Sequence, residues 1–105
     1  MPLSDECTLP AGWVRCEAEQ ARSFEKELRR EMPKGHILYG AKFEAVARDE
    51  KRDDFLFVLE DGRFAMSHLT WSIETDPFWP GTTLYDTYDE WKTEKESDFD
   101  EFDDD

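Results

Sequence analysis

The chain has 105 residues, enough for one domain and too few for two. Its 27 Asp and Glu against 13 Lys and Arg leave a formal net charge of −14, which excludes the basic face that DNA or RNA binding needs and opposes docking on an anionic membrane. No apolar run approaches the ~20 residues of a membrane span, and the start, Met1-Pro2-Leu3-Ser4-Asp5-Glu6, has neither basic nor apolar leader character, so a cytoplasmic protein is expected.

Aromatic residues make up 14% of the chain, a content that disordered chains lack, so most of it is expected to fold. Residues 1–12 hold Pro2, Pro10 and Gly12 and read as an irregular lead-in, with Trp13 and Val14 the first to touch the core. Cys7 and Cys16 form no CxxC and have no second pair for zinc, so they read as two reduced thiols. From Glu17 to Glu31 the spacing is helical: Ala21, Phe24, Leu28 and Met32 share one stripe. Glu17, Glu19, Glu25, Lys26, Arg29 and Arg30 lie off the stripe and are expected to face water. Pro33 and Gly35 end the helix.

A strand follows over Lys42–Arg48, with Phe43, Ala45 and Ala47 on one side and Val46 the apolar exception on the other. The six charges of Asp49 to Asp54 make a solvated loop. Phe55–Glu60 is continuously apolar, the mark of a central strand covered on both faces. Asp61-Gly62 is a hairpin signal, and Arg63–Leu69 is the third strand, with Phe64, Met66 and His68 pointing one way and Arg63, Ala65 and Ser67 the other. Residues 70–82, with Pro77, Pro80 and Gly81, read as a long aromatic loop folded back over the sheet. Thr83-Leu84-Tyr85 offers a short extra strand, and Thr87 with Glu90 has the spacing of a capping box opening a second helix. Residues 94–105 carry eight acids and one lysine, a net of −7 and half of the chain's excess. They are predicted to be a disordered acidic tail, leaving residues 1–93 as a single globular domain.

The fold class expected is therefore α+β: an N-terminal helix on a three- to four-stranded antiparallel meander, a short C-terminal helix and the tail. Phe24, Leu28, Phe43, Phe57, Leu59, Phe64, Trp71 and Trp91 are expected on its inner face.

Catalytic spacing is missing. There is no HExxH, no EF-hand loop, no GxSxG, no Walker loop and no GxGxxG, and the paired acids sit in charged segments without an apolar cleft to perturb them. No metal site, cofactor or catalytic residue is expected. Ser67 and His68 are strand neighbours and point to opposite faces, so His68 reads first as a partly buried sheet histidine bonded to backbone or to Thr70.

Residues Asp53-Asp54, Asp61-Gly62-Arg63-Phe64-Ala65, His68-Leu69-Thr70-Trp71, Trp79-Pro80-x-Thr82, Tyr85-Asp86 and Trp91 form a pattern over about residues 40–91. This pattern resembles a group of small bacterial proteins with a His-Leu-Thr-Trp signature and a later Trp-Pro-x-Thr. The resemblance implies a bacterial cytosolic origin and no particular activity. The Asp/Phe tail lies outside it.

Two features point to function. The acidic field steers a basic partner, and the cluster of Trp71, Phe78, Trp79, Tyr85, Tyr88 and Trp91 is either a small core or an anchoring surface. The leading expectation is a non-enzymatic binding protein that neutralises a basic protein, similar in size and charge only to immunity proteins that block nuclease toxins. Its contact residues would be Asp53, Asp54, Trp71, Glu74, Asp76, Trp79 and the tail acids Asp98, Asp100 and Asp103. A second expectation is an adaptor binding an apolar partner through the aromatic loop. A third is a ligand-binding domain or enzyme with a pocket at His68, Thr70 and Trp71.

Overall fold

The computed structural model describes residues 8–71 and 81–103. Strand β1 (Trp13–Arg15) leads into helix α1 (Ala18–Glu31), followed by β2 (Phe43–Asp49), β3 (Asp54–Leu59), β4 (Phe64–His68), β5 (Gly81–Tyr85) and helix α2 (Tyr88–Asp103). The strands form one antiparallel sheet in the order β1-β2-β3-β4-β5. The α+β class is as expected, with five strands rather than three or four. The extra edge strand is β1, whose three residues are too short to show alternation but pair with Ala47, Arg48 and Asp49 of β2.

Helix α1 forms where the apolar stripe predicts it. Its charges suit the helix dipole, with Glu19 in the first turn and Arg29 and Arg30 in the last. Pro33 has no N–H to continue the ladder, and the last backbone bond is Met32 N–H to the Leu28 carbonyl at 3.1 Å. Ala21, Leu28 and Met32 pack on Phe43, Ala45, Phe55, Phe57, Leu59, Ala65 and Leu69, while Phe24 is only partly buried. Phe24 and Phe55 stack with ring centroids 4.3 Å apart, and the Arg29 guanidinium lies 4.5 Å over the Phe43 ring.

The opposite face of the sheet has its own core. Trp13, Val46, Ala47, Leu56, Val58, Phe64, Tyr85 and Trp91 cluster there, closed by α2. Trp13 meets Trp91 edge to face at 4.8 Å, and Tyr88 flanks both Trp91 and Phe64. The single inner face expected from sequence is thus two faces: Phe64 and Trp91 belong to the second, and Trp71 is half exposed. Strand β3 is covered on both sides, as its unbroken apolar run requires.

A bulge in β2 divides the two cores. Ala45 pairs with Phe57 and Ala47 with Leu56, so Val46 is the extra residue. The slip turns Ala47 to the second face, away from Phe43 and Ala45. The backbone N–H of Ala45 is met at 2.9 Å by Glu25, which is buried rather than facing water. Arg22 neutralises the same carboxylate through a two-pronged contact at 2.9 and 2.8 Å. At the β3–β4 turn, Gly62 takes φ 93°, a left-handed conformation that glycine accepts without steric cost.

Candidate functional site

Helix α2 opens with the expected capping box: the Glu90 N–H donates to Thr87 Oγ1 at 3.2 Å, and the Thr87 N–H donates to Glu90 Oε1 at 3.1 Å. Tyr88 and the fully buried Trp91 turn inward. Asp89, Glu90, Thr93 and Glu94 stay exposed and, with Tyr85, line an open groove of about 540 Å³. The Tyr85 hydroxyl donates to the Glu94 carboxylate, so the groove combines one phenol with three acids. The helix carries eight acids against two lysines and no basic residue in its last turn. Asp89 and Glu90 in the first turn suit the dipole, whereas the acids nearer the C-terminus oppose it and do not serve the helix itself. Asp98, Asp100 and Asp103 lie on the backbone of this helix, which runs through most of the segment that its charge sets apart as a tail.

On the other face, the end of α1 meets the end of β4. Glu31, the last residue of α1, is fully buried. Its Oε1 accepts the Thr70 N–H at 2.8 Å and the Thr70 hydroxyl at 3.1 Å, and its Oε2 accepts the Trp71 N–H at 2.6 Å. Trp71 has φ 60°, the left-handed region, which costs a non-glycine residue roughly 1–2 kcal/mol. The carboxyl of Glu31 holds that corner in place. Burial pushes its pKa up, the neighbouring Glu27 adds to the rise, and the Thr70 and Trp71 donors oppose it. The Trp71 ring packs edge-on against Phe55 and remains 47% exposed, which puts it with Ile37 and Tyr39 among the exposed large apolar side chains.

His36 is buried, and its Nδ1 accepts the Leu38 N–H at 3.0 Å. That bond fixes Nδ1 without a proton, so Nε2 faces the Thr82 hydroxyl at 3.3 Å as the protonated nitrogen of a neutral ring. Thr82 in turn bonds the Ser67 hydroxyl at 2.7 Å.

His68 stands apart from Thr70 and Trp71. It lies on the face of Phe64 and Met66, is exposed, and its Nδ1 bonds Asp54 Oδ1 at 2.7 Å across the β3–β4 pair. Thr70 and Trp71 belong to the Glu31 corner. Asp53 is exposed, and its backbone carbonyl accepts the Leu69 N–H at 2.8 Å. Glu74, Asp76 and Trp79 lie outside the described residues. Glu31, Glu25 and His36 carry no sequence signal as site residues, because the groups they hold come from distant parts of the chain.

Burial also raises the Cys16 thiol to about 11, so near neutral pH it stays protonated and unreactive. Among the described residues no three His, Cys, Asp or Glu side chains converge as a metal site, and no helix is long and apolar enough to cross a membrane. The chain matches no family model, no curated protein and no solved structure.

Proposed function

We propose that this chain is a small acidic, non-enzymatic binding protein, immunity- or inhibitor-like, that neutralises a basic protein partner. The observation that carries the reading is the groove of Tyr85, Asp89, Glu90, Thr93 and Glu94 on a helix of net charge −6. The carboxylates there are exposed, with oxygens of Glu90 and Glu94 already taken by the helix cap and by Tyr85, and they can meet Lys and Arg side chains from solvent, while the chain's overall −14 attracts such a partner from a distance. Tyr85 lines the groove while most of its ring is buried in the core beneath. Asp98, Asp100 and Asp103 extend the acidic run along the same helix.

The test is a pull-down from cell lysate with the full chain and with a 1–93 truncation, at about 50 and about 300 mM salt, a range that screens surface charge strongly. A basic protein held by the full chain at low salt and released at high salt is the expected result. A partner held equally by both chains at both salts contradicts it and favours a second reading, an adaptor docking through apolar side chains. That second reading rests on Trp71, Ile37 and Tyr39, which are 47%, 61% and 56% exposed.

A further inference from the structure

We propose, resting on the acidic-groove reading above, that the outer edge of β5 takes an extended basic segment of the partner as an added antiparallel strand, seated at Leu84 beside the α2 acids. The hydrogen-bond phase of the sheet shows which backbone groups face outward. At the β3–β4 turn the Leu59 N–H donates to the Arg63 carbonyl at 2.8 Å, so Arg63 turns its pairing groups toward β3. Past the other end of β4 the Leu69 N–H donates to the Asp53 carbonyl at 2.8 Å and keeps the same phase. Pairing groups alternate along a strand, so Ala65 and Ser67 also turn toward β3, while Phe64, Met66 and His68 turn toward β5. Their partners Tyr85, Thr83 and Gly81 therefore bond inward, which leaves the pairing groups of Thr82 and Leu84 on the outer side. The only strand beside β5 among the described residues is β4, and there nothing bonds the outward N–H and C=O of Leu84.

Side-chain alternation fixes what the added strand must present. Leu84 packs on the α1 face, while Thr83 and Tyr85 lie on the α2 face with Met66 and Phe64. A residue bonded to Leu84 sets its own side chain on the α1 face, beside that of Leu84. Its two chain neighbours point to the α2 face, one beside Thr83 and one beside Tyr85, where the groove of Asp89, Glu90 and Glu94 begins. An apolar residue flanked by Lys or Arg matches that surface. The edge also lacks the devices that keep strands from pairing: Gly81-Thr82-Thr83-Leu84-Tyr85 has no charge, no proline and no bulge. The opposite edge, β1, spans three residues and ends on Arg15. Charge opposes a second copy of the chain at β5, since each copy brings −14 and its own α2 acids.

The test titrates the full chain, at about 50 mM salt, with a capped peptide of about seven residues that alternates Lys and Val, and with two N-methylated forms of it. In the added strand the Val amides bond Leu84 and the Lys amides face away. N-methylation of the Val amides should therefore weaken binding about tenfold or more, and N-methylation of the Lys amides should cost much less. Amide exchange at Leu84 should slow when the unmodified peptide saturates the chain. Equal binding of all three peptides with Leu84 exchange unchanged would overturn the added strand and leave the acidic groove standing as a docking surface. No binding of the unmodified peptide would also overturn it, and the pull-down then judges the groove on its own. Leu84 exchange that slows with protein concentration alone would give the edge to a second copy and overturn the proposal.

Discussion

The two faces of the sheet handle polar groups in opposite ways. On the α1 face, Glu25, Glu31, His36 and Ser67 are all buried, and each holds a specific partner. Three of those partners sit where the backbone is irregular, at the β2 bulge by Ala45, the left-handed Trp71 and the connection after α1, while Ser67 meets Thr82 across the regular β4–β5 pair. On the α2 face, the interior is Trp13, Trp91, Phe64, Tyr85 and their apolar neighbours, and the acids lie outside on α2. A buried charge is costly unless its bonds are met, so it is useful where one geometry must be fixed. An exposed charge contributes little to folding and is free for recognition.

The largest expected effect comes from emptying the aromatic interior of the α2 face. Trp91→Ala should destabilise the chain by about 3–5 kcal/mol in denaturant unfolding. A loss near zero would mean that α2 does not close that core. Next comes Glu25. Glu25→Ala strands the buried Ala45 N–H and removes the anion facing Arg22, at a cost of about 1–3 kcal/mol. Glu25→Gln keeps one acceptor and should fall between the alanine variant and wild type. Equal losses in both variants would show that the bulge does not depend on that bond.

Smaller, and dependent on pH, is the contribution of Glu31. Its pKa is raised in the folded chain, so the folded state binds the proton more tightly than the unfolded state. The stability this gives is fully present below the ordinary glutamate value and is lost as pH rises through the raised one. Subtracting the stability of Glu31→Gln from that of wild type at each pH isolates the effect. The difference should shrink with rising pH across that window, and a difference that grows would reverse the assignment. The smallest effect compares two changes at one position. Trp71→Gly removes the backbone strain and Trp71→Ala keeps it, so the glycine variant should be the more stable of the two by about 1 kcal/mol. Equal stability would mean the corner relaxes at no cost.

Which features were legible follows the same division. Regular elements that bury one stripe show it locally, as α1, β3 and the Thr87–Glu90 capping box do. The Asp61-Gly62 hairpin is legible because two adjacent residues carry the whole signal. Strand β1 offers three residues and no period. The bulge at Val46 is a slip of one residue, and it moves Ala47 to the other face without altering composition. Glu25 and Glu31 look like solvated helix positions because their partners, Ala45 and Thr70, lie 20 and 39 residues further on. A charge satisfied by a distant backbone N–H leaves no mark on the local pattern. The acidity of residues 94–105 is plain in sequence, yet the backbone of α2 continues through most of them.

The division of labour between the faces is tested most directly by neutralising the α2 acids and reading folding and association together. Asp89→Asn, Glu90→Gln and Glu94→Gln can be combined in one chain, since the glutamine at 90 keeps the capping acceptor. Unfolding stability should change by no more than about 0.5 kcal/mol per site, while the association rate with the basic protein captured at low salt should fall about tenfold or more. Unchanged association in a fully folded triple variant would contradict the assignment of the α2 face to recognition.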